Sequence, residues 1–251
     1  MRKTKINPKY EHLRSFIENI PDVFEQEGKE IYNKRNLIKV LTAPDGTLVN
    51  VKRYHIPHGP NRLVYSWGIR KPKGERAFAY PMILKDKGIE TPEPMALIEE
   101  RNSFYLLGYS YLITIQCDYG HTLYEVGDAK AGTYESLAKA LAHFAAKVHN
   151  SDVLHKDFTP GNVLWKQDNE GFHFSLVDIN RMHFGPVSTK QGLYNLRKFW
   201  GPKDFIRILV TEYALLRNLD VDRSVEYVMR ERAKFWTSYG RKHEIPFKLE
   251  L

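Results

Sequence analysis

The amino-acid sequence predicts an α+β chain of two lobes, the first β-rich and the second helical. Three observations lead there. Alternating apolar residues with turn signals occupy the stretch from Leu37 to Tyr54, helical periodicity dominates from about Thr133 onward, and no internal repeat, low-complexity tract or Gly/Ser linker marks off tethered domains. The pattern changes around Asp118 to Gly120, a candidate hinge. The expected division is a first lobe over residues 1–117, holding a leading helix, an antiparallel sheet and one further helix, and a helical second lobe over residues 118–251.

From the N-terminus, Tyr10, Leu13, Phe16, Ile17 and Ile20 recur at helical spacing and predict an amphipathic helix that stops before Pro21. Leu37 to Thr42 and Thr47 to Tyr54 flank Ala43-Pro44-Asp45-Gly46, whose Pro, Asp and Gly suit a reversal between antiparallel strands. A helix is expected over about Lys73 to Lys87. Glu90-Thr91-Pro92-Glu93-Pro94 then interrupts the chain before strands near Ala96 to Glu99 and Tyr109 to Cys117. In the second half Leu137, Leu141, Phe144, Ala145 and Val148 form one apolar stripe with Thr133 as its N-cap, and further helices cover about 190–199, 203–217 and 222–239.

With 42% apolar residues among 251, the chain can bury a sizeable core. Its longest apolar runs, such as Tyr111 to Ile115 and Ile208 to Val210, fall far short of the roughly 20 residues that span a bilayer. The opening MRKTKINPKY is followed by no apolar signal-peptide region, which predicts a cytoplasmic protein. A single cysteine, Cys117, excludes an internal disulfide and a cysteine-based zinc site, and His55, His58, His121, His143 and His149 lack metal-ligand spacing. The net charge of +8 attracts anionic partners and by itself leaves nucleotide phosphates, nucleic acid and an anionic membrane surface all open.

The chemistry is concentrated in Val153-Leu154-His155-Lys156-Asp157-Phe158-Thr159-Pro160-Gly161-Asn162, directly after the long predicted helix. It fits the kinase catalytic-loop pattern HxDxxxxN. An aspartate there accepts the proton of an attacking hydroxyl, and an asparagine five residues on turns back toward a magnesium ion. Downstream, the strand-like run Phe172 to Val177 ends in Asp178-Ile179-Asn180, which takes the place of the kinase Asp-Phe-Gly, and Lys166 to Gly171 reads as the tip of a hairpin. Asn162 and Asp178 are thus the two candidate oxygen ligands for Mg²⁺. His155 is expected to pack and hold the loop. Upstream, Val49-Asn50-Val51-Lys52 alternates and ends in a lysine; such lysines ordinarily solvate a strand, but followed in order by Asp157, Asn162 and Asp178, Lys52 reads as the ligand of the α/β phosphates.

These residues, with Gly88-Ile89-Glu90-Thr91-Pro92-Glu93-Pro94 and Asp178-Ile179-Asn180-Arg181-Met182, resemble the lipopolysaccharide kinase family, which includes Kdo and heptose kinases, from about Gly28 to Phe199. The resemblance implies a protein-kinase-like fold, ATP and Mg²⁺ as cofactors, and a sugar hydroxyl of the lipopolysaccharide core as acceptor. Three departures stand out. No GxGxxG precedes Lys52; the turn reads Tyr32-Asn33-Lys34-Arg35-Asn36, so Lys34 and Arg35 become the candidates for phosphate contact. The predicted helix has no acid at its centre, Phe78-Ala79-Tyr80-Pro81-Met82, so Glu75 one turn earlier is the candidate partner of Lys52. No Ala-Pro-Glu or long activation segment follows Asp178, which disfavours a peptide acceptor.

The expected reaction places Lys52 on the nucleotide phosphates, Asn162 and Asp178 on Mg²⁺, and Asp157 on the acceptor hydroxyl, with Gln116 to Asp118 crossing behind the adenine. Basic residues after the metal loop, Arg181, Arg197, Lys198 and Lys203, suit an anionic glycolipid at the inner face of a membrane, without nucleic acid as partner. Two alternatives stay open: a small-molecule kinase of the aminoglycoside or choline type, and a catalytically degraded scaffold.

Overall fold

The computed structural model describes residues 1–34, 36–245 and 249–251, which fall into two compact units, Met1–Asp118 and Tyr119–Leu251. The first is built on an antiparallel sheet. In chain order it contains β1 (Arg2–Ile6), α1 (Arg14–Val23), β2 (Lys29–Asn33), β3 (Leu37–Thr42), β4 (Leu48–Tyr54), α2 (Pro60–Ser66), α3 (Lys73–Asp86), β5 (Pro94–Arg101) and β6 (Leu107–Ile115). The six strands lie in the order β1-β5-β6-β4-β3-β2.

Strand alternation assigns the two faces of this sheet. Val49, Val51, Ala96, Ile98, Tyr111 and Ile113 turn to one side and pack with Ile17, Ile20 and Phe24 of the first helical segment. Tyr54 and Leu112 turn to the other and pack with Ala77 and Phe78 of α3. The approach of α3 is close: a Cβ on Gly74 would stand 2.7 Å from Leu97 Cδ1, so a larger residue there would have to displace that side chain. The expected hairpin between β3 and β4 forms, closed by Ala43 N–H to the Thr47 carbonyl at 2.9 Å, with Asp45 Oδ1 accepting from Thr47 N–H at 2.9 Å.

Three local expectations are corrected. The strand β1 is absent from the sequence reading because its charged, half-exposed residues carry no apolar alternation; it pairs with β5, Lys5 opposite Leu97. The leading helix does not stop at Pro21 but runs to Val23, because buried Ile17, Ile20 and Phe24 hold its last turn on the sheet and Lys39, itself buried, donates to the carbonyls of Phe24, Glu25 and Glu27 at 2.6, 3.1 and 3.1 Å. Thr133 is not an N-cap: its hydroxyl donates to the Lys130 carbonyl, and the next helix begins at Glu135, whose own carboxylate accepts from Gly132 N–H at 2.9 Å.

The second unit contains β7 (His121–Thr122), α4 (Glu135–Asn150), β8 (Val153–His155), β9 (Val163–Asp168), β10 (Gly171–Leu176), β11 (Met182–Phe184), α5 (Thr189–Leu196), α6 (Lys203–Leu216) and α7 (Val221–Gly240). The stripe Leu137, Leu141, Ala145 and Val148 of α4 is buried together with Ile206, Leu209, Val210 and Tyr213 of α6, and α6 packs in turn on α7. The β9–β10 hairpin lies against α4 through stacked Phe144 and Phe174, ring centroids 5.1 Å apart. Among the described residues no helix is long and apolar enough to cross a membrane.

Candidate active site

Two short strands bring the chemistry of the second unit together. Pairing of β8 with β11 sets His155 opposite Met182, so the loop that follows β8 and the loop that precedes β11 start from one ladder. A second tie runs between them: Val177 N–H donates to the Asn162 carbonyl at 3.0 Å, fixing Asn162 beside Asp178 in the chain.

His155 is the internal brace of the first loop. It is fully buried; its Nδ1 accepts from Asp157 N–H at 3.0 Å, and its Nε2 then donates to the Val177 carbonyl at 3.1 Å. Burial pushes its pKa below the ordinary histidine value, so the ring stays neutral and serves as a spacer between the two loops. Asn162 Nδ2 donates to the Asp157 carbonyl at 2.8 Å, which leaves its Oδ1 as an acceptor. Asp178 takes the left-handed conformation, φ 53°, tolerated by a short polar side chain, and its Oδ1 accepts from Asn180 Nδ2 at 2.6 Å.

The Asp157 carboxylate faces two cations. Lys198 Nζ is 3.0 Å from Oδ1 and also donates to the Lys156 carbonyl at 2.8 Å, while Arg181 Nη1 is 3.8 Å from Oδ2. Lys198, expected among the basic residues that suit an anionic glycolipid, has a side chain only 13% exposed. The turn that carries it is anchored from behind, with Arg232 Nη2 donating to the Gly201 carbonyl at 2.9 Å and Trp236 Nε1 to the Phe199 carbonyl at 3.3 Å. Arg232 is so enclosed that burial brings its pKa down to about 10. Arg197, next to Lys198, faces another way and stacks on Tyr194, 3.4 Å from the ring centroid.

A buried polar chain supports the loop. Arg217 donates to the Tyr213 oxygen at 2.7 Å, Tyr213 donates to His149 Nδ1 at 2.7 Å, His149 Nε2 donates to Asn195 Oδ1 at 3.2 Å, and Asn195 Nδ2 donates to the His155 carbonyl at 3.1 Å. Each direction is forced by the next, because the His155 carbonyl can only accept. No short motif pointed to Asn195 or Lys198, since both lie about 40 positions beyond the loop they serve.

The donors present fit a magnesium ion: one carboxylate, Asp178, and one amide oxygen, Asn162 Oδ1, are the few hard oxygens this cation takes from protein while keeping water and phosphate oxygens. Among the described residues no group of three or more His, Cys, Asp and Glu is arranged to hold a metal.

In the first unit Lys52 stands on the α3 face of β4, in a cross-strand row that reads Lys52, Leu112, Leu97, Lys5 from β4 to β1. Glu75, expected to pair with Lys52, instead bonds Lys5 at 2.7 Å, and Lys5 holds its pKa below the ordinary carboxylate value. Glu75 lies in the first turn of α3 and meets the β1 edge of the sheet, three strands from Lys52. Lys34 follows the exposed edge strand β2, at its turn to β3, and Arg35 lies outside the described residues. Gln116 has its N–H donated to the Leu48 carbonyl at 2.9 Å and its side chain bonded to Asn50, so its N–H is not available to a nucleotide. Asp118 is exposed at the end of the unit.

Residues 30–208 match the lipopolysaccharide kinase (Kdo/WaaP) family. Among solved structures, WaaP in complex with acyl carrier protein is similar at a TM-score of 0.59, with 15% identity over 92% of this chain and 98% of that chain. The amicoumacin kinase hAmiN, in complex with AMP-PNP, Ca²⁺ and Ami, is similar at 0.54, with 11% identity over 90% of this chain and 87% of that one. The Rio2 kinase complex with ADP/Mg²⁺ and phosphoaspartate from Chaetomium thermophilum is similar at 0.51, with 15% identity over 90% and 77%. At such identities the likeness is one of fold. No curated protein sequence matches the chain.

Proposed function

We propose a reaction for this chain on the premise that it belongs to the lipopolysaccharide kinase (Kdo/WaaP) family, which makes it a kinase: transfer of the γ-phosphoryl group of ATP to a sugar hydroxyl of the lipopolysaccharide core, on Kdo or heptose. The observation that supports it is the tie between the two loops of the second unit, Asn162 Nδ2 on the Asp157 carbonyl and Val177 N–H on the Asn162 carbonyl, which joins Asp157, Asn162 and the segment leading into Asp178, the three residues this reading uses.

Asp157 takes the proton of the sugar hydroxyl as its oxygen forms a bond to the γ-phosphorus and the bond from that phosphorus to the β,γ-bridging oxygen breaks, releasing ADP. Lys198 steadies the Asp157 carboxylate and adds positive charge beside the transferring group. Asn162 Oδ1 and Asp178 would hold Mg²⁺, which supplies charge neutralisation on the phosphates when bound. Lys52 orients the α/β phosphates, Lys34 adds a phosphate contact, as does Arg35 on the sequence reading, and backbone groups near Asp118 meet the adenine. Docking at the inner membrane surface brings the enzyme to a lipid-anchored acceptor. A second reading, a catalytically degraded scaffold, rests on the engagement of Glu75 by Lys5.

The test is a transfer assay with purified core glycolipid, a casein-type protein and a kanamycin-type acceptor side by side. Labelled phosphate should appear on the glycolipid. Labelling of the antibiotic or protein alone sinks the acceptor assignment, and absence of ATP binding supports the degraded reading.

A further inference from the structure

One edge of the first unit presents large apolar side chains to solvent in a group. Trp67 is 68% exposed, Ile69 72%, Phe104 79% and Tyr105 63%. Single exposed apolar residues are ordinary, whereas a contiguous set marks a docking surface. These form a set because their two segments are bonded together: Arg62 Nε donates to the Leu107 carbonyl at 2.8 Å, Leu107 N–H to Ser66 Oγ at 2.8 Å, and Arg101 Nη1 to the carbonyls of Ser66 and Tyr105 at 3.2 and 3.0 Å. Trp67 and Tyr105 line one groove of about 730 Å³ with Arg2, Lys3, Lys71 and Arg101.

The loop tip is built to hold its rings outward. Asn102 Oδ1 accepts from Phe104 N–H at 3.0 Å and Leu106 N–H at 2.9 Å, and Tyr105 is kept at φ 58°, a conformation that a bulky residue adopts at a cost. The charge around the rings is mostly positive. Residues 60–74 carry Arg62, Arg70, Lys71 and Lys73 with no Asp or Glu, residues 101–107 carry Arg101 with none, and residues 1–6 carry Arg2, Lys3 and Lys5 with none. The acids that come near, Glu75 of the groove among them, are paired: Asp22 and Glu100 bond Arg2, Glu99 is buried on Arg101, and Glu75 bonds Lys5, so the basic excess rests on exposed Lys3, Arg70 and Lys71.

We propose that this surface docks on an anionic phospholipid bilayer, with Trp67, Ile69, Phe104 and Tyr105 entering the headgroup boundary and the surrounding lysines and arginines meeting lipid phosphates. Tryptophan and tyrosine favour that boundary, since each has an apolar body and a polar edge, and basic residues beside them add attraction to anionic lipid. The commitment to a bilayer over a protein follows from the basic excess beside the rings and from aromatic tips that project into solvent. It rests on the reading of the acceptor as a lipid-anchored sugar.

The experiment is flotation of the full chain with vesicles of equal parts phosphatidylglycerol and phosphatidylcholine, and with phosphatidylcholine alone, for the parent protein and a Trp67→Ala/Phe104→Ala double variant. The parent should float with anionic vesicles, weakly with neutral ones, and the variant should lose about tenfold or more in partitioning, as expected for two aromatic side chains withdrawn from an apolar environment. Equal flotation of parent and variant, no flotation of the parent, or a parent dimer in light scattering that the variant abolishes each overturns the proposal. Transfer to a delipidated core oligosaccharide separates the two readings. The variant should keep it; loss of vesicle binding with no transfer by either protein sinks the kinase reading and leaves the docking surface standing.

Discussion

Lys198 is held by two acceptors of the loop it serves, the Lys156 carbonyl at 2.8 Å and Asp157 Oδ1 at 3.0 Å. An ammonium has three N–H groups, so one remains, and in the proposed reaction it would meet an oxygen of the transferring phosphoryl group. Lys198→Met should lower kcat by about a hundredfold, the size of one lost charge-stabilising donor, with a smaller change in the KM for ATP. Lys198→Arg should recover part of the loss. Equal changes in kcat and KM, or no rescue, assign Lys198 a purely structural role.

Mg²⁺ and ATP together should raise the melting temperature, because a ligand bound only by the folded chain stabilises it by mass action. Asp178→Ala should remove most of that rise, while Asp157→Ala should keep it and abolish turnover. Thermal shift and single-turnover transfer on the same preparations separate the two residues; a full shift in the Asp178 variant takes it out of the metal site.

Glu75→Gln should leave ATP affinity unchanged, since its carboxylate bonds Lys5 on β1 and not Lys52 on β4. The pair is partly exposed, so the stability change should stay below about 1 kcal/mol. Isothermal titration with ATP and Mg²⁺ checks this, and a large loss of affinity would return Glu75 to the nucleotide site.

His149 gives the fold a dependence on acid. Burial brings its pKa down to about 4, opposed by its bond to Asn195 and reinforced by the charge of Arg217. A base whose folded pKa lies below its unfolded value, near 6.5, binds more protons unfolded, so its contribution is whole above about pH 6.5 and is lost progressively as pH falls toward 4. The loss amounts to about 3 kcal/mol at the lower end. Urea unfolding of the parent and of His149→Gln should show the parent falling more steeply between those limits; parallel slopes contradict the assignment.

What sequence alone determined is local. The hairpin from Leu37 to Tyr54 is written in alternation and in Pro44, Asp45 and Gly46, and the spacing of Asp157 and Asn162 fixes a loop short enough to close on itself through one side-chain bond. The family match over residues 30–208 agrees with the resemblance read from those motifs and from GIETPEP and DINRM. The partners of these residues were decided by tertiary structure. Strand β1 pairs with a strand 90 to 98 positions away, and its charged residues carry no periodic signal of their own. Glu75 is the candidate partner of Lys52 in sequence, as the acid one turn before an acid-free helix centre, but α3 packs so that Glu75 meets Lys5 on β1. Lys198 looked like one cation among many until the turn held by Arg232 and Trp236 delivered it to Asp157. Periodicity and spacing record contacts within a few residues along the chain, whereas side-chain direction across a sheet or from a distant turn depends on packing that no short window contains.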